Sequence, residues 1–274
     1  MKKSRVGMLA AALGMAMVVS GCAAGAPAED STDAGTAAPQ VLKVAAVQSP
    51  MTDVVKAAGE AIEDGYEIEL VEVGDYITAN TILNSGDVYA NYSQHIPYME
   101  DFNEGNDGTL VGVQPVYNFV IAFYSKTLDD IADLPDGGTV AMPDDPSNTG
   151  RALKLLAEHD VISLDPEVDP YDATVADISE NPKHLEFLQV PIASLNAAYE
   201  EADLVFQWPS HIIALGLTPQ DDGLITELDD RFALNLVVQK KDADSAATAA
   251  LKKAFTSDQV REVIEANGTI QPAW

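Results

Sequence analysis

The chain has 274 residues, 47% of them hydrophobic, which is enough to build a buried core in one large domain or two smaller ones. Its 44 Asp and Glu residues outnumber its 15 Lys and Arg residues and give a formal net charge of −29. So acidic a surface repels nucleic acid and anionic lipid headgroups, and we therefore expect no nucleic-acid partner. Cys22 is the only cysteine, which excludes a disulfide within the chain.

The N-terminus has the pattern of a secretory signal peptide, which we predict over residues 1–21. Basic residues among the first five positions precede an apolar run of small and aliphatic side chains from Val6 to Val19. This run is shorter than the roughly 20 residues that a membrane-spanning helix needs.

Cys22 directly follows Val19-Ser20-Gly21, an order that resembles the bacterial lipoprotein box, in which a peptidase cuts before the cysteine and the cysteine is lipidated. We therefore predict a palmitate-type lipid anchor on Cys22 and a position on the extracytoplasmic face of the cell membrane. The alternative is a free cysteine near an ordinary cleavage site. We assign 22–40 to the lipidated cysteine and a linker; residues 23–40 read "AAGAPAEDSTDAGTAAPQ", without a large apolar residue, and are expected to be flexible.

Hydrophobic periodicity predicts alternating strands and helices beyond the linker. In chain order we predict a strand over 42–47, a helix over 51–64, a strand over 66–73, a helix over 76–84, a strand over 88–91, a helix beginning near Pro97, strands over 116–124 and 139–142, a helix over 146–159, strands over 187–190, 203–206 and 234–239, and helices over 245–255 and 257–266. Such alternation is typical of an α/β fold with mainly parallel sheets, in which ligands bind beyond the carboxyl ends of strands.

The motifs of common enzyme and metal sites are missing from this sequence. It has no Gly-x-Ser-x-Gly, Walker or Ser-x-x-Lys motif, and its Asp-rich stretches lack the ligand order of a calcium loop. The four histidines, at 95, 159, 184 and 211, are widely spaced. We therefore predict that the protein is not an enzyme, with no catalytic residue, no metal site and no cofactor.

The segment "MPDDPSNTGRALKLL" (142–156) predicts a helix that begins directly after a strand. Asp145 can cap this helix, and Pro146 suits its first position. Asn148 lies in the first turn, where free backbone N–H groups attract an anion, and Arg151 adds donors that fit a carboxylate. The alternative is a well-capped helix whose arginine pairs with a surface acid.

The segment "GDVYANYSQHIPYME" (86–100) predicts a strand, a loop and a helix, which puts His95 and Tyr98 just beyond a strand end. One interpretation is the wall of a binding pocket, because tyrosine combines a flat apolar ring with a polar tip. The other is a histidine satisfied by local backbone and a half-buried core tyrosine.

Taken together, "NYSQHIPYME" (91–100) and "PDDPSNTGRALKLL" (143–156) resemble motifs of the NlpA/MetQ family of methionine-binding lipoproteins. The resemblance runs from about Leu42 to the C-terminus and includes "SENPK" (179–183), "GLTP" (216–219) and the final Trp274.

The resemblance implies a type II-like periplasmic-binding-protein fold with two α/β lobes and the ligand in the cleft between them. Lobe 1 would comprise 41–120 and 216–274, and lobe 2 would comprise 121–215. By motif position, the wall around the ligand side chain would include Tyr76, His95 and Tyr98. Arg151 would bind the carboxylate, with Asn residues, including Asn148 and Asn235, around the amino-acid head group.

Two positions depart from the family pattern. Ser93 stands where the family usually has Phe, and Gln207, followed by Trp208, stands where it usually has Asn. We include all three residues in the predicted site: either Trp208 fills the space that a serine at 93 leaves, or the pocket takes a larger or more polar ligand.

The resemblance implies the solute-binding protein of an ABC importer, partnered by a membrane permease and an ATPase and binding L-methionine or a close relative. A different amino acid, a dipeptide or a small carboxylate in the same cleft is the first alternative. An envelope lipoprotein that has lost ligand binding is the second.

Overall fold

The computed structural model describes residues 38–274. The predicted signal peptide, the predicted lipidation site Cys22 and all of the predicted linker except its last residues lie outside this range. The strands of the described part are β1 (Gln40–Ala46), β2 (Tyr66–Glu72), β3 (Ala90–Gln94), β4 (Leu110–Phe119), β5 (Ile121–Tyr124), β6 (Thr139–Pro143), β7 (Ser163–Leu164), β8 (Ile178–Glu180), β9 (Glu186–Val190), β10 (Leu204–Gln207), β11 (Ile225–Glu227), β12 (Leu234–Gln239) and β13 (Ile270–Pro272). Its α-helices are α1 (Met51–Ala61), α2 (Tyr76–Ser85), α3 (Ile96–Asn106), α4 (Pro146–Glu158), α5 (Leu195–Ala198), α6 (Pro209–Ile212), α7 (Pro219–Asp222), α8 (Ala246–Phe255) and α9 (Asp258–Asn267).

Two sheets form the centres of two lobes. The first has the strand order β13-β4-β12-β3-β1-β2, and the second has the order β11-β5-β10-β6-β9. The prediction of mainly parallel sheets is wrong, because β12 and β4 are antiparallel to their neighbours in the first sheet, as β5 is in the second. These strands are not joined to their neighbours by a helical crossover, which is what parallel pairing requires.

Helices cover both faces of the first sheet. Alternation along β1 directs Val44 towards one hydrophobic cluster and Ala45 towards the other, as the period of a strand requires. The first cluster contains Val55 of α1 together with residues of α8 and α9, and the second contains Leu83 of α2 and Met99 of α3. Packing in these two clusters fixes the positions of α2 and α3, the two helices that begin at the cleft between the lobes.

The chain crosses between the two sheets at Val120. We predicted one strand over 116–124, and this prediction is wrong, since β4 ends at Phe119 in the first sheet and β5 begins at Ile121 in the second. The chain returns between Glu227 and Leu234. Asn118 lies beside the first crossing, and its side-chain amide donates a hydrogen bond of 2.6 Å to Asp230 in the second crossing.

Strand β11 lies in the segment that the sequence analysis assigned to lobe 1, which was expected to resume at 216. It pairs antiparallel with β5, so that Ile225 faces Phe123 within the second sheet. The return to the first sheet therefore follows 227.

Candidate functional site

A cavity of about 280 Å³ lies between the lobes and has walls from both. It is lined by six of the nine residues predicted to bind ligand: Tyr76, Ser93, His95, Tyr98, Asn148 and Trp208. The start of α2, the end of β3 and the start of α3 supply four of them, whereas α4 and the segment after β10 supply Asn148 and Trp208. The strand-end rule for α/β folds therefore identifies most of this wall.

Within the described chain, the other three predicted residues lie outside the cavity lining: Arg151, Gln207 and Asn235. Gln207 is fully buried, and its amide is satisfied locally, donating to Asn196 (2.6 Å) and accepting from the backbone N–H of Trp208 (3.0 Å). Asn235 donates to the carbonyl of Ala233 (2.9 Å), two residues away. Both amides thus have structural roles in this conformation.

Several lining residues were missed by sequence reasoning. Phe119 and Tyr117 come from β4, and the segment from Gln48 to Met51 follows the end of β1. The segment from Gln48 to Met51 could have been predicted, because it follows a strand end. The β4 residues carried no signal, because an apolar strand residue that faces a cavity has the same pattern as one that faces a core.

Tyrosine and histidine rings form the wall on the side of the first lobe. Tyr76 and Tyr98 meet edge to face with their ring centroids 6.4 Å apart, and His95 meets Tyr98 in the same way at 6.1 Å. Burial raises the pKa of both tyrosines, so their hydroxyls are neutral donors and acceptors at neutral pH. The wall is therefore apolar in area, with polar tips.

Tyr76 also joins the two lobes. Its hydroxyl lies 2.8 Å from Nε2 of His211, a residue of α6 that the sequence analysis did not single out. Burial lowers the pKa of His211 to about 4, which keeps its imidazole neutral at neutral pH. Nearby, the side chain of Gln48 donates to the carbonyl of Ser210 (3.2 Å) across the same gap.

The second bond between side chains of the two lobes involves His95, which caps α3. Its Nδ1 accepts from the backbone N–H of Tyr98 (3.2 Å), and its Nε2 lies 3.0 Å from Oδ1 of Asn148. Since Nδ1 and Oδ1 are both acceptors, the proton sits on Nε2. Burial, and secondarily the charge of Arg151, lowers the pKa of His95 to about 3, so this imidazole is neutral at neutral pH.

The first turn of α4 does not offer the free N–H groups that we expected. Pro146 has none, the N–H of Ser147 donates to Asp101 of α3 (3.0 Å), and the N–H of Asn148 donates to Asp145 (3.0 Å). Burial raises the pKa of the capping Asp145 to about 6. The helix terminus is thus satisfied by carboxylates of the protein itself, so an anion bound there would have to displace them.

Arg151 is buried and makes a hydrogen bond through one edge of its guanidinium. Its Nε donates to Glu227 of β11 (2.7 Å), and its guanidinium carbon lies 4.0 Å from the ring centroid of Phe232 and 5.3 Å from that of Phe119, which lines the cavity. Among residues 38–274, neither Nη1 nor Nη2 has a hydrogen-bond partner. Burial lowers the pKa of Arg151, and the charge of Glu227 opposes that shift.

Gly150 explains how α4 packs so tightly beside Arg151. A Cβ at position 150 would lie 2.0 Å from the carbonyl oxygen of Tyr171. Only glycine permits this approach of backbone to helix.

Ser93 lines the cavity from β3 and is buried. Its hydroxyl has no hydrogen-bond partner in the part of the chain that the structure describes. Trp208 lies on the opposite lobe, with its ring 5.6 Å from Phe206 and 6.1 Å from His211.

The described residues contain no group of three or more His, Cys, Asp or Glu side chains placed to hold a metal ion. In the same range, no helix is both long enough and apolar enough to cross a bilayer.

Known proteins are similar to this chain in sequence and in fold. The methionine-binding lipoprotein MetQ of Bacillus subtilis is 36% identical over 228 residues, which cover 81% of this chain and 83% of the relative. The D-methionine-binding lipoprotein MetQ of Escherichia coli is 32% identical over 243 residues, 86% of this chain and 89% of the relative. A nutrient-binding protein from Burkholderia cenocepacia, solved bound to methionine, superposes with a TM-score of 0.80 at 31% identity, covering 85% of this chain and all of the other.

These likenesses confirm the predicted fold class, an α/β fold of the type II-like periplasmic-binding-protein kind with two lobes and a cleft between them. A sequence model of the NlpA lipoprotein family matches residues 42–274. The chain belongs to the NlpA lipoprotein family.

Proposed function

We propose that this protein is the extracytoplasmic, lipid-anchored solute-binding protein of an ABC importer and that it binds L-methionine or a closely related amino acid. The relatives named for methionine binding, and the neighbour solved with methionine, support this ligand class. The ligand would occupy the cavity between the lobes, where it is bound and released unchanged.

The single observation that carries the proposal is the state of Arg151. Two guanidinium nitrogens are buried without a hydrogen-bond partner in residues 38–274, next to a ring that lines the cavity. A buried unpaired donor is costly, and a charged one more so. A ligand carboxylate would satisfy both nitrogens in the bidentate geometry that guanidinium groups favour.

The remaining cavity wall suits an uncharged side chain of moderate length. Tyr76, Tyr98 and Trp208 supply ring area, and the imidazole of His95 is neutral. A thioether packs favourably against aromatic rings. Methionine therefore matches the wall better than a charged amino acid does.

Closure of the lobes on the ligand would follow the hinge mode of binding proteins. The hydrogen bonds from Tyr76 to His211 and from His95 to Asn148 connect the lobes beside the cavity. We assign 41–120 and the segment beyond 227 to lobe 1, and the intervening segment to lobe 2. The two crossings would form the hinge.

We further propose that a lipid on Cys22 tethers the protein to the outer face of the cell membrane. There it would deliver ligand to a permease and its ATPase. A flexible linker before Gln40 would let the binding unit reach the permease.

Isothermal titration calorimetry tests the ligand assignment. The full chain, purified in detergent and stripped of carried-over ligand by unfolding and refolding, is titrated with L-methionine. We expect one-to-one binding with a Kd on the order of micromolar or tighter, about −8 kcal/mol. An absence of heat, with the refolded protein intact by circular dichroism, contradicts the methionine assignment.

The Ser93 hydroxyl has no hydrogen-bond partner among residues 38–274, which favours one alternative, a ligand whose side chain has a polar atom. Mass spectrometry of whatever the protein carries from its host separates this alternative from methionine.

A further inference from the structure

The Arg151–Glu227 pair is a buried pair of opposite charges beside the cavity. The side chain of Arg151 is 0% exposed and that of Glu227 is 9% exposed, with 2.7 Å between Nε and Oε2. Glu227 engages only the Nε edge of the guanidinium, so its bond leaves Nη1 and Nη2 free. Within the described residues, Oε1 of Glu227 also has no hydrogen-bond partner.

The net charge of this pair limits what can bind to it. Arg151 and Glu227 cancel each other, so a ligand carboxylate on Nη1 and Nη2 adds one uncompensated negative charge to a buried site. The ammonium of an α-amino acid restores neutrality, whereas a simple carboxylic acid leaves the excess charge next to Glu227. At about 5 Å and an effective dielectric constant of about 20, such repulsion corresponds to a factor on the order of 100 in affinity.

Other charged groups lie near this pair: Asp229 is negative, whereas Lys154 and Arg231 are positive. Asp229 also acts on the guanidinium, and its carboxylate accepts from the hydroxyl of Tyr171 and from the backbone N–H of Arg231. The side chain of Arg231 stacks on Tyr171, with its guanidinium carbon 4.2 Å from the ring centroid. Glu227 is the acidic group bonded directly to Arg151, so its removal changes the local charge without disturbing Asp229.

We propose that Glu227 is a further residue of the ligand site, which positions Arg151 through Nε and makes the cleft select zwitterionic amino acids over simple carboxylates. This inference rests on the proposed function, because it needs the ligand carboxylate on Arg151. Glu227 acts through Arg151 and through its charge, and is therefore a positioning and selectivity residue.

The test compares two ligands that share a carboxylate and a thioether but differ in the ammonium group: L-methionine and 4-(methylsulfanyl)butanoate. Both are titrated calorimetrically into the wild type, Glu227→Gln and Glu158→Gln, each as the full chain in detergent. Glu158 is the matched control, because it is on the same helix as Arg151, is about half exposed and pairs with Lys154.

We expect the wild type and Glu158→Gln to prefer L-methionine by on the order of 100-fold or more, and Glu227→Gln to reduce that preference at least tenfold. An equal loss of affinity for both ligands in Glu227→Gln overturns the inference, because it assigns Glu227 a structural role only. A wild-type preference for L-methionine below about tenfold also overturns the inference. This comparison uses the wild type alone, so it remains valid if Glu227→Gln does not fold. Failure of the wild type to bind L-methionine refutes the proposed function, which is a separate result.

Discussion

Replacing Arg151 by methionine should weaken both folding and binding, for different reasons. The change removes the buried cation but keeps a long apolar side chain between Phe232 and Phe119, so little cavity is expected. It leaves the carboxylate of Glu227, only 9% exposed, without its partner.

The size of the stability loss follows from these contacts. Removing one partner of a buried ion pair costs about 3–5 kcal/mol. The guanidinium also lies 4.0 Å from the ring centroid of Phe232, a cation–π contact worth about 2 kcal/mol or more when desolvated. We therefore expect a total loss at or above the upper end of the 3–5 kcal/mol range, which is a large share of the usual stability of about 5–15 kcal/mol.

A double variant separates the two effects. In Arg151→Met/Glu227→Leu the whole ion pair is replaced by apolar side chains, an exchange that is often neutral or stabilising. In urea unfolding, the double variant should therefore recover at least half of the free energy of unfolding that Arg151→Met loses. Calorimetry should detect no methionine binding in either variant, because both lack the carboxylate donor.

Two results would refute this reasoning. A double variant no more stable than Arg151→Met would mean that an unpaired Glu227 is not the source of the loss. A folded Arg151→Met variant that binds methionine within about threefold of the wild type would remove Arg151 from the ligand site, since a charged hydrogen bond contributes about 1.5–3 kcal/mol.

Three further predictions concern packing, pH and the cavity wall. Gly150→Ala should lower the free energy of unfolding by about 1–3 kcal/mol in urea titrations, because the added Cβ would lie 2.0 Å from the carbonyl oxygen of Tyr171. An unchanged midpoint of the urea transition would contradict this packing. His211 is neutral when folded, with a pKa near 4, but takes up a proton near pH 6.5 when unfolded, so it lowers stability as the pH falls from about 6.5 to 4. His211→Gln should reduce that loss by up to about 1.4 kcal/mol per pH unit. Asp145 makes an opposite contribution in both proteins and does not affect the comparison. Parallel pH profiles of the wild type and the variant would show that His211 is not the source of the loss. Ser93→Ala removes a buried hydroxyl that has no partner in the described chain. Thermal unfolding should therefore show equal or higher stability, and calorimetry should show an unchanged methionine affinity. A tenfold loss of methionine affinity would indicate a hydrogen bond from Ser93 to the ligand.

Periodicity and capping residues were sufficient to locate the main helices of this fold. The predicted helix over 146–159 corresponds to α4, because Asp145 and Pro146 specify its start and Leu153 and Leu156 are buried along it. The crossing at Val120 was missed, since the run from Val116 to Tyr124 is apolar apart from Asn118, and a single Asn within such a run does not locate a turn. A strand that passes from one sheet to another has the same local pattern as one continuous strand.

Tertiary pairing explains what the sequence could not reveal about the site. Glu227 is 76 residues from Arg151, and His211 is 135 residues from Tyr76, so no local pattern connects them. In a chain with 44 acidic residues, nothing distinguishes the one that pairs with Arg151. Motif position also indicated Gln207 as a ligand residue, whereas its amide is already satisfied by Asn196 and by the backbone N–H of Trp208.

A crystal structure of the protein with bound L-methionine would show whether Arg151 holds the ligand. We expect the ligand carboxylate within about 3 Å of Nη1 and Nη2 of Arg151, and the thioether against the rings of Tyr76, Tyr98 and Trp208. A carboxylate bound elsewhere, with Nη1 and Nη2 still without a partner, would contradict this expectation.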